Sequence, residues 1–214
     1  MIDLALLRTV AYSAVVSDCC DQVGLRHQTL QAGLRPIVAD MSVIVGFARP
    51  VRAVAVERAE GPPYAAEVAY IDSLEADDVV VALTDPVGAF WGELFSTAAM
   101  ARGAAGAVID GLVRDTRLIA ALGWPILARG TRPTDSLGRL SIVESDAPLE
   151  ILGVTVTRGD LVVADADGTV VVPAAVADEV VARAIVKATT ESSARSMLLG
   201  GAYLRDAWER FKVL

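Results

Sequence analysis

Arginine and aspartate stand side by side at positions 114 and 115, three residues beyond the apolar run Ala107-Val108-Ile109 that ends at Asp110-Gly111. A strand of that kind can hold the loop after it firmly, so a cation and a carboxylate placed there can act together. By local pattern alone the pair also reads as a surface ion pair or a helix cap. Glu93, just after Gly92 at the start of a predicted helix, equally reads as a first-turn acid favoured by the helix dipole.

Other chemistries are thinly supplied. His27 is the single histidine, which removes any zinc site built on several histidines and leaves a Ser-His-Asp or Cys-His triad only a residue in a polar loop. No GxGxxG follows a strand and no GxxxxGK[ST] occurs, so nucleotide cradles lack support. Cys19-Cys20 reads as packing, because neighbouring cysteines rarely pair and two thiols make no secreted framework. Asp165-Ala166-Asp167-Gly168 lacks the later ligands of a calcium loop and reads as a hairpin turn.

A net charge of −8 disfavours a nucleic-acid partner, which needs a cationic stripe, and an anionic membrane surface. No apolar run nears the roughly 18–20 residues that span a bilayer, and the start of the chain lacks a signal-peptide pattern. The expected location is cytoplasmic.

The elements around these residues mix helices and strands in what reads as one domain over residues 1–214. An amphipathic helix is predicted over 3–17, with Asp18-Cys19-Cys20-Asp21 directly after it. Strands follow over 42–48 and 51–56, hinged at Arg49-Pro50, then a helix from Gly61-Pro62-Pro63 to Leu74 and a buried strand over 79–83. Gly92 to Arg102 reads as a helix stopped at Gly103, and 107–109 and 126–128 read as further buried strands. A β-rich stretch follows over 140–143, 151–157, 161–164 and 169–172, with turns at 158–160 and 165–168. A helix over 174–199, ended by Gly200-Gly201, and a short tail helix complete the chain.

Gly92-Glu93-Leu94, the approach Gly103-x-x-Gly106-x-Val108-Ile109-Asp110-Gly111 and Arg114-Asp115 together resemble the RraA-like family. That family contains the regulator of ribonuclease activity A and the class II pyruvate aldolases. The likeness extends over nearly the whole chain. Val16-Ser17-Asp18, Leu34-Arg35-Pro36-Ile37 with Gly46-Phe47-Ala48, and the stretch Arg158-Gly159-Asp160 through Val172-Pro173 match its motifs. The resemblance implies an α/β sandwich with a swivelling-domain-like β-core, assembled as a homotrimer or a homohexamer with sites at subunit interfaces.

It also implies roles. Arg114 would grip the carboxylate and keto oxygen of pyruvate, the backbone of Gly92, Glu93 and Leu94 would complete the cradle, and Asp115 would hold Mg2+ or Mn2+. Glu93, with Asp18 and Glu191 from a neighbouring subunit, would manage the proton. The implied activity is cleavage of a 4-hydroxy-2-oxo acid to pyruvate, with oxaloacetate decarboxylation alongside. The alternative is a non-catalytic regulator that binds another protein. The family's fuller pattern puts a further acid three residues beyond the aspartate, where this chain has Leu118.

Overall fold

In the computed structural model, which describes residues 3–58 and 61–213, the elements run in chain order as follows. Helices α1 (Leu4–Val10) and α2 (Ser13–Gln22) precede strands β1 (Arg35–Pro36) and β2 (Ile44–Ala55). Helix α3 (Ala65–Asp72), strands β3 (Asp78–Thr84) and β4 (Ala89–Trp91), helix α4 (Glu93–Ala101) and strand β5 (Gly106–Val113) come next. Helix α5 (Thr116–Leu122) leads to strands β6 (Ile126–Thr131), β7 (Leu140–Ser145), β8 (Leu149–Ile151), β9 (Val154–Val156), β10 (Leu161–Asp165) and β11 (Gly168–Val172). Helices α6 (Ala177–Leu199) and α7 (Leu204–Phe211) close the sequence of elements.

Nine strands form one sheet in the order β1-β6-β5-β3-β2-β10-β11, with β4 added beside β5 and β7 beside β2. Residues of the segment before β1 bond to β11 (Leu30 N–H to Thr169 O, Val171 N–H to Gln28 O), while β1 itself pairs with β6. One short segment thus touches both ends of the sheet and nearly closes it into a barrel.

Strand alternation sorts the core into three clusters. Val79 and Val81 face inward with Ile44, Val108, Leu127 and Val162. Val80 and Ala82 face outward, under Tyr70 of α3, Ala99 of α4 and Ile119 of α5. Val45, Leu161 and Val163 face the other outer layer, formed by α1, α2 and α6.

Strands β2, β3, β5 and β6 are mutually parallel, and β4 is parallel to β5. Parallel strands need crossovers, here supplied by α3, α4 and α5 on one face. All the loops at the C-terminal ends of these strands therefore open on the same side. Ligands of open α/β sheets bind at such ends.

Several expectations need correction. The helix over 3–17 is broken at Ala11-Tyr12, resumes at Ser13 and runs on to Gln22, so Asp18 lies inside α2 rather than after a helix. The carboxylate of Asp165 accepts from both Ser13 N and Ser13 Oγ at 2.6 Å, which anchors the start of α2. The 165–168 turn is the hairpin expected, and this anchor is what its first aspartate does.

The two strands hinged at Arg49-Pro50 are one strand. Its antiparallel neighbour changes there from β10 to β7, so Pro50, with no N–H, interrupts neither ladder. Arg49 is buried and bonds to Asp78 at 2.8 Å and to Asp146 at 2.7 Å. Residues 151–157 are not one strand either. Leu152 and Gly153 both take positive φ, folding β8 and β9 into a hairpin. Strand β4 and helix α5 were not anticipated, and β5 runs on through Asp110-Gly111 to Val113.

Candidate functional site

Four loops converge at the C-terminal ends of the parallel strands. The loop after β4 brings Gly92 and Glu93, the end of β5 brings Arg114 and Asp115, the loop after β6 brings Asp135 and Ser136, and Tyr64 precedes α3. Except for Glu93, which is not part of the lining, these residues line a pocket of about 230 Å³ with Val68, Ala89, Phe90, Trp91, Leu94 and Phe95.

Arg114 is fixed from its backbone outward. Its N–H donates to Trp91 O at 2.9 Å, stitching β5 to β4. Its Nε lies 3.5 Å from Asp115 Oδ2 and its Nη1 lies 3.3 Å from Asp135 Oδ1. One guanidinium is thus flanked by two carboxylates, with about a third of each side chain still exposed.

Asp115 occupies the left-handed region (φ 59°, ψ 30°), which aspartate tolerates better than most residues. It stands at the N-cap of α5, yet its side chain makes no capping bond to that helix. It turns toward α4 instead, where Oδ2 accepts from Glu93 N at 3.3 Å. Both contacts of Oδ2 are long, so the oxygen keeps capacity for a further partner.

Gly92 makes this approach possible. A Cβ there would stand 2.7 Å from Asp115 Oδ2 and 3.3 Å from Arg114 Cγ. Beyond Gly92, the first-turn N–H groups of α4 have no partners inside their own helix and present the positive end of its dipole. The Glu93 carboxylate accepts from Thr97 Oγ1 at 2.7 Å, and Leu94 is exposed at the rim.

Asp135 and Tyr64 were not singled out from the sequence. The Tyr64 hydroxyl donates to Asp135 Oδ2. Burial works against the charge on Asp135, but the bond from Tyr64, the N–H groups of Leu137 and Ser136 and the charge of Arg114 outweigh it. Its pKa therefore sits below the ordinary carboxylate value. The same bond, aided by burial, raises the pKa of Tyr64.

Asp18 and Glu191 do not join this pocket within one chain. They lie on α2 and α6, in the other helical layer. Lys187 Nζ is 2.6 Å from Asp18 Oδ2 and 3.6 Å from Glu191 Oε1, and the Tyr12 hydroxyl donates to Glu191. Burial raises the pKa of Glu191, against a smaller lowering by Arg195. Leu118, on the first turn of α5, is half exposed and does not line the pocket. Cys19 and Cys20 are buried and free, and burial pushes the Cys20 thiol up to about 11, which suits packing.

The donor set suits a hard cation that keeps water. Among the described residues no three His, Cys, Asp or Glu side chains gather into a metal cage. Asp115 offers one partly exposed carboxylate, which fits magnesium bound through one or two carboxylates plus substrate oxygens. The charged side chains of the lining are Arg114, Asp115 and Asp135, a net negative set before any anionic substrate arrives.

Comparison with known proteins comes to the same region of the chain. A family model described as RraA-like, Aldolase/RraA, matches residues 13–171. "Protein DlpA" of Legionella pneumophila is 29% identical over 203 residues, which cover 93% of this chain but only 32% of that protein, so the chain spans about a third of its length. A Halalkalibacterium halodurans protein named "Putative 4-hydroxy-4-methyl-2-oxoglutarate aldolase" is 34% identical over 159 residues, covering 74% of this chain and 70% of that one. The crystal structure of Streptomyces coelicolor RraAS2, described as an unusual member of the RNase ES inhibitor RraA protein family, superposes with a TM-score of 0.73 at 28% identity. The match covers 90% of this chain and 94% of that one.

Proposed function

The chain belongs to the RraA-like family, and from that premise we propose that it is a divalent-metal-dependent carbon–carbon lyase that cleaves a 4-hydroxy-2-oxo acid to pyruvate and a carbonyl product. The observation that carries this reading is the Arg114-Asp115 pair, set side by side against Gly92 in a pocket at the ends of parallel strands. The aldolase name of the Halalkalibacterium relative supports it.

Asp115 would hold the metal, Mg2+ or Mn2+, whose chemistry when bound is to polarise the 2-oxo group as a Lewis acid. Arg114 binds the substrate carboxylate with its planar fork. The N–H groups of Glu93 and Leu94 face the same anion from the start of α4. In the reaction the 4-hydroxyl loses its proton to a base, the C3–C4 bond breaks, and its electron pair passes into the pyruvate enolate. Arg114 offsets the charge of that enolate. Reprotonation at C3 then gives pyruvate.

The base is a water set by Glu93, with Asp18 and Glu191 of a neighbouring copy as its partners, in a homotrimer or a homohexamer. Apolar side chains exposed at and near the pocket mouth (Val68, Leu94 and Leu118) suit coverage by such a copy. Oxaloacetate decarboxylation passes through the same enolate and belongs to the same site. No helix of the described residues is long and apolar enough to cross a membrane, in keeping with the proposed cytoplasmic location.

A second reading, a regulator that binds another protein without catalysis, draws on the RraAS2 likeness. One experiment separates the two. Pyruvate release is followed from a panel of 4-hydroxy-2-oxo acids and oxaloacetate, with and without magnesium, alongside Arg114→Lys, which keeps the charge but loses the fork. Metal-dependent release that Arg114→Lys cripples is the expected result. No release from any substrate, with no inhibition or binding by oxalate, overturns the lyase reading.

A further inference from the structure

Resting on the lyase reading, we infer that Asp135 is a positioning residue, held in turn by Tyr64, that sets the plane of the Arg114 guanidinium toward the substrate carboxylate. The contacts that carry this role all lie within one chain and do not depend on a neighbouring copy.

An arginine side chain is long, and a single contact at its end leaves the guanidinium free to pivot. Here two carboxylates meet different nitrogens of the planar group, Asp115 at Nε (3.5 Å) and Asp135 at Nη1 (3.3 Å). Two such points fix its plane. Both distances exceed the roughly 2.7–2.9 Å of a charge-assisted hydrogen bond, so the guanidinium is steered without being saturated. Asp115 answers to the metal as well in the lyase reading. Asp135 is the steering contact with no other assigned duty.

The Asp135 carboxylate is itself held from several directions. The Tyr64 hydroxyl donates to its Oδ2, and the Leu137 N–H donates to its Oδ1 at 3.4 Å. Its backbone is docked on β4, where Asp135 bridges to Ala89 and the Ala89 N–H donates to Thr134 O at 2.8 Å. A Cβ at Gly88 would stand 2.8 Å from Asp135 O, so the loop lies against a glycine it needs. Tyr64 takes φ 56° and ψ 16°, a left-handed conformation uncommon for a bulky residue. Strain of this kind persists where the surroundings over-determine it, and it clusters at functional sites. The residue so strained both lines the pocket and bonds to Asp135.

Charge and positioning predict opposite signs. Asp135 sits beside the cation that receives the substrate, and its lowered pKa keeps it ionised at neutral pH, where it repels an incoming anion. If it contributed charge alone, Asp135→Asn would tighten anion binding. If it orients Arg114, the same change loosens binding, because a neutral amide attracts the guanidinium less.

The test is a double-mutant cycle, run on oxalate binding with magnesium by calorimetry and on kcat/KM for pyruvate release. Asp135→Asn should weaken oxalate binding by about tenfold and lower kcat too, since a misdirected Arg114 serves neither the bound carboxylate nor the enolate. Tyr64→Phe leaves the Asp135 carboxylate in place and should weaken binding by about threefold. In the Arg114→Lys background no planar fork remains to be set, so Asp135→Asn should weaken nothing further.

Unchanged or tighter oxalate binding in Asp135→Asn, or an equal loss in the Arg114→Lys background, with wild-type pyruvate release intact, overturns the inference and leaves the lyase reading standing. A coupled loss of oxalate binding without pyruvate release from any substrate does the reverse. A wild type that neither binds oxalate nor releases pyruvate removes both.

Discussion

Replacing Gly92 with alanine tests whether Arg114 and Asp115 act as the structure arranges them. Gly92 has φ −147° and ψ −173°, an extended conformation open to any residue, so the backbone itself should accept the change. The added Cβ would lie 2.7 Å from Asp115 Oδ2, whereas ordinary contact begins near 3.4 Å. The carboxylate must therefore retreat by about 0.7 Å, and the Arg114 stem, 3.3 Å away at Cγ, must shift by a few tenths.

Misplacement by about 1 Å can cost roughly 10²-fold in rate, so kcat/KM for pyruvate release should fall by about tenfold to a hundredfold. The magnesium concentration for half-maximal activity should rise with it. A methyl group at this partly exposed site has little to do with the core. Even about 1 kcal/mol would move Tm by only about 2–4 °C in a chain of this size. The assay is coupled pyruvate release across a magnesium series, with Tm measured in parallel. Wild-type kcat/KM and wild-type magnesium dependence in a folded Gly92→Ala protein would refute the placement of both side chains.

Four further outcomes follow from the same geometry. Asp115→Asn keeps the shape but removes the charge, so activity at limiting magnesium should be lost and only partly restored by excess metal; an unaltered titration would remove Asp115 from the metal site. Tyr64→Phe takes a hydrogen bond from Asp135, whose lowered pKa should rise, moving the acid limb of the pH–rate profile upward. The stability Asp135 contributes is present above an unfolded value of about 4 and lost as pH falls through the lower folded value, so the wild type's advantage in Tm over Tyr64→Phe should shrink as pH falls between these values. Leu118→Asp restores the family's further acid near Asp115 and should lower the magnesium requirement, whereas an indifferent titration means that position 118 faces elsewhere. Asp18→Ala and Arg114→Ala should each be inactive alone, and co-expressed in one oligomer they should recover about a quarter of the sites if these residues meet across a cyclic interface; verified mixed oligomers without recovery would refute that meeting.

The elements most legible in the sequence are those whose surroundings repeat along the chain. Val79 to Leu83 and Ala107 to Ile109 are apolar on both faces, and the structure buries both faces under different clusters. The hairpin at 165–168 could be read because its turn residues are local. What could not be read depended on distant partners. The break at Tyr12 is set by Asp165, more than 150 residues away, reaching Ser13. The continuity of β2 through Pro50 depends on the change of neighbour from β10 to β7, which no window of ten residues reveals.

The candidate site divides along the same line. Arg114 and Asp115 are adjacent in sequence after a strand, and the Gly92-Glu93-Leu94 stretch opens a helix, so both halves carry local signals. Asp135 and Tyr64 carry none. Each sits among residues that suit an ordinary turn, and only the parallel strands, all ending on one side, bring them to Arg114. Their placement changes the chemistry, because an acid on the far side of Arg114 turns a simple anion clamp into a site with a surplus of negative charge. That surplus favours a divalent cation. Asp18 and Glu191 remain with Lys187 in the other helical layer. A part for them in the reaction therefore requires a second copy of the chain, and the mixed-oligomer experiment addresses that requirement directly.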